Sequence, residues 1–163
     1  MNKAYLLLGS NEGDRLGWFQ KAFALLEASV GKIAARSSLY ETAAWGKEDQ
    51  PDFLNMAICL ETGLTPQDLL HAVLDTEKQL GRHREEKWGQ RIIDIDILFY
   101  NNDIILEPGL AVPHPYIQDR RFALEPMDEI APALLHPVFH KTIHELLLEC
   151  PDKLEVRKFL TLD

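Results

Sequence analysis

An α+β fold, built on an antiparallel sheet with helices packed on one face, is what three features of the sequence predict. Several stretches read as strands, and two others carry apolar residues at the three-to-four-residue spacing of an amphipathic helix. Their order, β-α-β-β-α-β, is that of a ferredoxin-like domain. No repeat, low-complexity tract or Pro/Gly/Ser-rich linker interrupts the 163 residues, so a single domain spanning 1–163 is expected. Helices on one face would leave the other face of the sheet free for a site.

Residues 3–9 (KAYLLLG) form a buried first strand, which GSNEGD then breaks. Leu16, Phe19, Ala22, Phe23 and Leu26 mark one face of a helix running to about Ser29. Residues 33–42 (IAARSSLYET) read as a strand, WGKEDQP as a polar loop, and 53–61 (FLNMAICLE) as a further strand by alternation. Thr65 as N-cap, Pro66 at the first helical position and Asp68 at the third open a second helix. Its inward face is Leu69, Leu70, Val73, Leu74 and Leu80, and it ends near Gly81. A charged loop from Arg82 to Gln90 leads into a strand at 92–100, and NNDIILEPG turns into a short strand around 104–106 that should pair back on it. Thr142 and Glu145 stand at capping-box spacing and start a short helix to about Leu148, and 152–160 supplies a last strand or a tail.

Composition narrows the function classes. A net charge of −9 repels a polyphosphate, so no nucleic-acid partner is expected. No apolar stretch is long enough to span a bilayer, and MNKAYLLLGSNEGD lacks the apolar core and cleavage site of a secretory signal, so no membrane partner and a cytoplasmic location are expected. Cys59 and Cys150 have neither metal-ligand spacing nor a disulfide framework and read as structural thiols.

The chemistry concentrates in RIIDIDILF, residues 91–99. Side chains alternate across a strand, so Asp94 and Asp96 share one face while Ile93, Ile95 and Ile97 share the other. Such a pair either faces water from an edge strand or holds a divalent cation. Pairing with the first strand on one side and with 104–106 on the other would make the strand interior, where two like charges need a counter-ion. Mg²⁺ suits such oxygen ligands, since one or two carboxylates and substrate phosphates complete its shell. Neither a G-x-x-x-x-G-K-[ST] nor a G-x-G-x-x-G motif is present, so phosphates would fall to side chains. Lys78, Arg82, Arg84, Lys87 and Arg91, interleaved with Glu85 and Glu86, precede the acidic strand. They form either a solvated face or the basic groups that phosphoryl transfer requires. Phe53 and Asn55 share a strand face, as ordinary surface residues or as a plate and an amide for a planar heterocycle. VPHPYIQDRRF adds His114, Arg120, Arg121 and Phe122 in a proline-bounded segment that otherwise reads as a turn with a solvated helix start.

Taken together, K-W-G-x-R-x-x-D-I-D-I-L at 87–98 resembles the signature of the 6-hydroxymethyl-7,8-dihydropterin pyrophosphokinase family of folate biosynthesis. GSN at 9–11, YET at 40–42, DQPDFLN at 49–55, GR-x-R at 81–84, VPHP at 112–115 and R-x-F at 120–122 follow the same family in order. The resemblance implies transfer of a pyrophosphoryl group from ATP to the hydroxymethyl oxygen of a reduced pterin, leaving AMP. It implies catalytic roles for Arg82, Arg91 and Asp96, and two Mg²⁺ ions on Asp94 and Asp96 with ATP as co-substrate. Glu77, Arg84, Trp88, Ile97, His114 and Arg120 would contact ATP. Thr42, Phe53, Asn55 and Phe122 would contact the pterin, in a protein acting as a monomer. The sequence departs from the family's usual residues at Ala43, Ala44, Gln90, Gly109, Ala111 and Pro115. Another small-molecule phosphotransferase, or a ligand-binding module without turnover, would fit the same scaffold.

Overall fold

In the computed structural model, which describes residues 1–10, 14–42, 52–81 and 93–161, the sheet is organised around its first strand. β1 (Asn2–Ser10) lies between two antiparallel neighbours, β4 (Phe53–Thr62) and β5 (Asp94–Tyr100). The sheet runs β5-β1-β4-β3-β8, with β3 at Leu39–Thr42 and β8 at Val156–Leu160, while β2 (Gly31–Arg36) pairs with the other half of β4.

Alternation along β1 sorts the core into two layers. Ala4, Leu6 and Leu8 face α1 (Arg15–Ser29) and α2 (Pro66–Gln79), meeting Phe19, Phe23 and Leu26 of the former and Leu69 and Val73 of the latter. Each such fully buried side chain contributes about 2 kcal/mol of transfer free energy. Helix α1 starts where Asp14 accepts the Gly17 N–H, and α2 where the Thr65 hydroxyl accepts the Asp68 N–H with Pro66 at its first position, as its sequence predicts. On the opposite side Tyr5, Leu7, Ala57, Cys59 and Phe99 meet two further helices, α3 (Arg121–Ile130) and α4 (Ile143–Glu149). The predicted capping box opens α4: the Thr142 hydroxyl accepts from Glu145 N–H, and Glu145 accepts from Thr142 N–H. Both cysteines are buried free thiols.

The ferredoxin-like α+β class stands, with four differences of detail. The second sheet face is only partly open, because α3 and α4 cover the end around Tyr5, Cys59 and Phe99. The stretch 33–42 is two strands: the Ser37 hydroxyl donates to Ser38 O and accepts the Ala57 N–H, so the backbone leaves the ladder there. The strand expected at 104–106 does not return to β5. As β6 (Ile105–Glu107) it pairs with β7 (Leu110–Val112) through Pro108 and Gly109, whose φ of 79° glycine adopts without strain, and among the described residues β5 is therefore an edge strand paired with β1 alone. Finally, the β1–β5 register shifts by one residue between Tyr5 and Leu6, so Leu98 and Phe99 both join the second core layer and strict alternation fails beyond Ile97. No helix among the described residues is long and apolar enough to cross a membrane.

One polar cluster fastens α3 to the sheet. Glu129 accepts from Tyr40 OH at 2.6 Å and from the Ser38 backbone N–H at 3.0 and 3.1 Å, and its Oε2 also takes the Ser38 hydroxyl at 3.1 Å. Burial alone would raise the Glu129 pKa, but the bonds from Tyr40 and Ser38 outweigh it and hold the carboxyl below its usual 4.5. A depressed folded-state pKa means that this contribution is complete above pH 4.5 and is lost as pH falls through the folded value. Glu129→Gln should therefore lower stability by about 1–2 kcal/mol at neutral pH, discounted for partial exposure, and should lose less than wild type on acidification. Urea midpoints measured from pH 7 down to pH 3 check this; parallel pH profiles for the two proteins would refute it.

Candidate active site

The register places three polar or small residues in one row. Gly9 of β1 stands opposite Asp94 on one side and Asn55 on the other, and Leu7 stands opposite Asp96 and Ala57. Directly paired residues share a sheet face, so both aspartates lie on the face that α3 and α4 leave open at this end. Phe53, two residues before Asn55, joins them and pairs with Thr42 of β3. A Cβ on Gly9 would lie 2.7 Å from Asn55 Oδ1, so only glycine leaves the amide where it is. Phe122 and Arg120, from the start of α3, close the other side together with Leu154.

These residues surround a cavity of about 320 Å³. Its wall has two phenylalanine rings, an amide, a pair of carboxylates and the Thr42 hydroxyl, which is buried and has no hydrogen-bond partner among the described residues. An unmatched buried hydroxyl costs about 1–3 kcal/mol, a penalty that a polar ligand edge would relieve. The Arg120 guanidinium lies 5.6 Å from the Phe122 ring centroid and 5.4 Å from that of Tyr116. Such a pocket suits a flat heterocycle with a polar rim.

A second cavity, about 390 Å³, lies beyond the free edge of β5. Leu70, Val73, Leu74 and Glu77 of α2 form one wall, Ile95, Asp96 and Ile97 the floor, and the β6–β7 hairpin with His114 the other wall. The outward backbone groups of an edge strand need partners. Buried Glu77 accepts the Ile95 N–H at 2.7 Å, and the His114 N–H donates to Leu98 O at 3.0 Å. The His114 ring accepts the Tyr116 N–H through Nδ1 at 3.2 Å, which leaves Nε2 as the ring donor. Burial pushes its pKa below 6.5, the Asp96 charge opposes that shift and the Arg120 charge adds to it, so the ring is neutral at pH 7. Asp96 lines both cavities.

The structure thus brings Thr42, Phe53, Asn55, Phe122 and Asp94 to the first cavity and Glu77, Ile97 and His114 to the second. Arg120, expected beside the nucleotide, lines the first cavity, and the departures Gly109, Ala111 and Pro115 all line the second. Arg82, Arg84, Trp88 and Arg91 lie outside the described residues, as do Ala43, Ala44 and Gln90. Among the described residues no group of three or more His, Cys, Asp or Glu could hold a metal ion alone. Two carboxylates suit Mg²⁺ that shares its shell with substrate phosphates. Sequence reasoning did not single out Gly9 or Leu154 as site residues. A glycine ending a buried strand opposite an asparagine is a usable signal for the first, whereas nothing local marks a leucine in a charged tail.

Comparison with known proteins gives the family. A sequence model described as 7,8-dihydro-6-hydroxymethylpterin-pyrophosphokinase matches residues 5–132. A protein of Aquifex aeolicus named 2-amino-4-hydroxy-6-hydroxymethyldihydropteridine pyrophosphokinase is 43% identical over 145 residues, covering 89% of this chain and 90% of its own. The Bacillus subtilis protein of the same name is 45% identical over 130 residues, 79% of this chain and 78% of its own. A crystal structure of wild-type Plasmodium falciparum HPPK-DHPS superposes with a TM-score of 0.75 at 20% identity, over 91% of this chain and 44% of that one. That likeness concerns the fold alone, and this chain spans under half the length of the Plasmodium protein. The chain belongs to the 7,8-dihydro-6-hydroxymethylpterin-pyrophosphokinase family.

Proposed function

We propose that the protein transfers the pyrophosphoryl group of ATP to the hydroxymethyl oxygen of 6-hydroxymethyl-7,8-dihydropterin, giving AMP and the pterin diphosphate for folate biosynthesis. The observation that carries this reading is Asp96, a residue that lines both the ring-sized cavity and the cavity at the β5 edge. Two substrates bound in separate pockets would meet at that carboxylate.

In this reading the pterin lies between the rings of Phe53 and Phe122, which supply apolar plates for its faces. Asn55 and Thr42 read its polar rim. ATP occupies the second cavity, with Glu77, Ile97 and His114 along its wall and its phosphates directed toward Asp94 and Asp96. A neutral His114 offers Nε2–H to an anionic oxygen without needing a proton. Asp94 and Asp96 would hold Mg²⁺, which when bound neutralises phosphate charge and aligns the two substrates; two ions are part of the proposal. The pterin hydroxyl oxygen attacks the β-phosphorus and loses its proton to solvent, the bond from that phosphorus to the α–β bridging oxygen breaks, and AMP leaves with that oxygen. Arg82, Arg91 and Arg84 are proposed to neutralise the transferring phosphates, with Trp88 against the nucleotide and Arg120 beside Phe122. The reading includes a monomer acting in the cytoplasm on small molecules, with no nucleic-acid or membrane partner, in keeping with a net charge of −9.

Product identity tests the reaction class. Incubation with ATP, Mg²⁺ and the reduced pterin alcohol should yield AMP in step with pterin diphosphate and leave ADP at background. Stoichiometric ADP would mean an ordinary phosphotransferase, and binding of both ligands without turnover a non-catalytic module.

The acidic pair gives a second test. Asp94→Ala and Asp96→Ala should abolish turnover while the far-ultraviolet circular dichroism stays that of wild type, since removing one of two like charges relieves repulsion in the free protein. Near wild-type turnover of either variant at limiting Mg²⁺ would remove the metal from these residues.

The rings give a third. Phe53→Ala and Phe122→Ala should each weaken pterin binding by about 1–3 kcal/mol, the scale of aromatic stacking on a heterocycle, and leave a MgATP analogue almost unaffected. Calorimetry with each ligand separately decides; equal losses for both ligands would make the rings structural.

A further inference from the structure

The first turn of α3 carries Arg120 and Phe122 into the first cavity, yet it lacks a cap of its own. Arg120 occupies the N-cap position and makes no side-chain capping bond. A helix start leaves orphan N–H groups that need an acceptor. Here the acceptor comes from far along the chain: Asp152 Oδ2 takes the Arg121 N–H at 3.2 Å, and the Asp152 carbonyl takes Arg121 Nε–H at 2.9 Å. The other carboxylate oxygen, Oδ1, accepts the Leu154 N–H at 2.9 Å. Leu154 is itself part of the cavity wall. One carboxylate is therefore bonded on one side to the turn that bears Arg120 and Phe122 and on the other to Leu154. Both Asp152 and Leu154 lie beyond residue 132, where the match to the family's sequence model ends.

This turn depends on its external anchor more than most. Pro126 sits inside α3 and has no N–H to give the Phe122 carbonyl four residues earlier, so the helix is short of an internal bond at the residue that faces the cavity. The rest of α3 is held independently, through buried Leu124 and Met127 and through Glu129, which accepts from Ser38 N–H and from Tyr40 OH of β3. Removing the Asp152 carboxylate would thus release the first turn and leave the body of the helix docked. A negative charge at this end also complements the helix dipole, which adds to the capping bond.

We propose that Asp152 is a positioning residue for the pterin subsite, fixing Phe122, Arg120 and Leu154 as one wall through a capping bond supplied from a distant part of the same chain. The proposal rests on the reading that the first cavity takes the pterin. Its signature is a split in kinetic constants, because a wall residue displaced from the pterin leaves the nucleotide cavity and the acidic pair intact.

Steady-state kinetics of the full-length chain, with pterin and ATP varied in turn, test it in Asp152→Ala, Asp152→Asn and Phe122→Ala. Asp152→Ala should raise the pterin KM about tenfold, the scale of a lost cap, with kcat and the ATP KM changed less than about twofold. Asp152→Asn keeps one of the two acceptor oxygens and should recover part of the loss, to about threefold above wild type. A pterin KM equal to wild type in Asp152→Ala, or a lowered melting temperature with both KM values unchanged, would overturn the proposal and leave Asp152 a fold residue. Should Asp152→Ala not fold, the Asn variant decides, and a wild-type pterin KM there overturns the idea. Phe122→Ala separates the two levels: if it too leaves the pterin KM unchanged, the cavity assignment fails and the positioning role with it. If Phe122→Ala raises the KM and the Asp152 variants do not, only the positioning role fails.

Discussion

The register of β1 against β4 and β5 sets Gly9 opposite Asn55 on one side and Asp94 on the other, and the site depends on that alignment. A slip of β5 by one residue would turn Asp94 and Asp96 into the layer beneath α1 and α2 and bring Ile95 and Ile97 out into the cavity. Burying two carboxylates among Leu6, Leu8, Phe19 and Leu69 would cost several kcal/mol per charge even after relaxation. The same alternation that packs the core therefore fixes which face carries the carboxylates. Gly9 completes the constraint, because any side chain there would displace the Asn55 amide from the row.

The position of β5 at the sheet edge gives that row two sides. An interior β5 would show its carboxylates to one face only. At the edge, with α2 on one side and the β6–β7 hairpin on the other, the same strand floors a second cavity, and Asp96 reaches both. Exposed strand edges invite pairing with other chains, and this edge is occupied by Glu77 at Ile95 and by the His114 backbone at Leu98. The groups that protect the edge are also groups that line the second cavity. A single arrangement answers a folding hazard and a substrate's need for a wall.

What could be read from the sequence is what is encoded locally. The sharing of a face by Asp94 and Asp96, and by Phe53 and Asn55, follows from alternation within a few residues. The starts of α2 and α4 follow from Thr65 with Pro66 and from Thr142 with Glu145. Helix α3 was legible only as a helix start after the turn: Arg120 is no capping residue, Pro126 argues against a helix, and the acceptor for its first N–H lies thirty-one residues downstream in Asp152. The break at Ser37, the partner of β6 and the bulge at Leu98 are likewise set by contacts between distant segments. The candidate site was legible because its residues are strand residues placed by period, whereas the helix that closes one wall is placed by tertiary contacts.

The part of the chain beyond the matched family region is built into the same wall. Strand β3, which carries Thr42, is four residues long, and on one side it has only the Phe53–Asn55 end of β4. So short a strand holds position poorly when paired on one edge. Strand β8 supplies the other edge, pairing with Leu39–Thr42, and Arg157 donates to Glu41 at 2.7 Å beside the pairing of Thr42 with Val156. That ion pair is exposed on its Arg157 side and contributes little energy on its own; the backbone ladder does most of the fixing. Arg157 and Lys158 on β8 then put charge on the new outer edge, where it discourages further strand addition. Thr42 is thus held from both sides while its hydroxyl stays unmatched among the described residues. Keeping a buried polar group in that state requires a rigid backbone, because a mobile one would turn the hydroxyl to the nearest acceptor and close the position to a ligand.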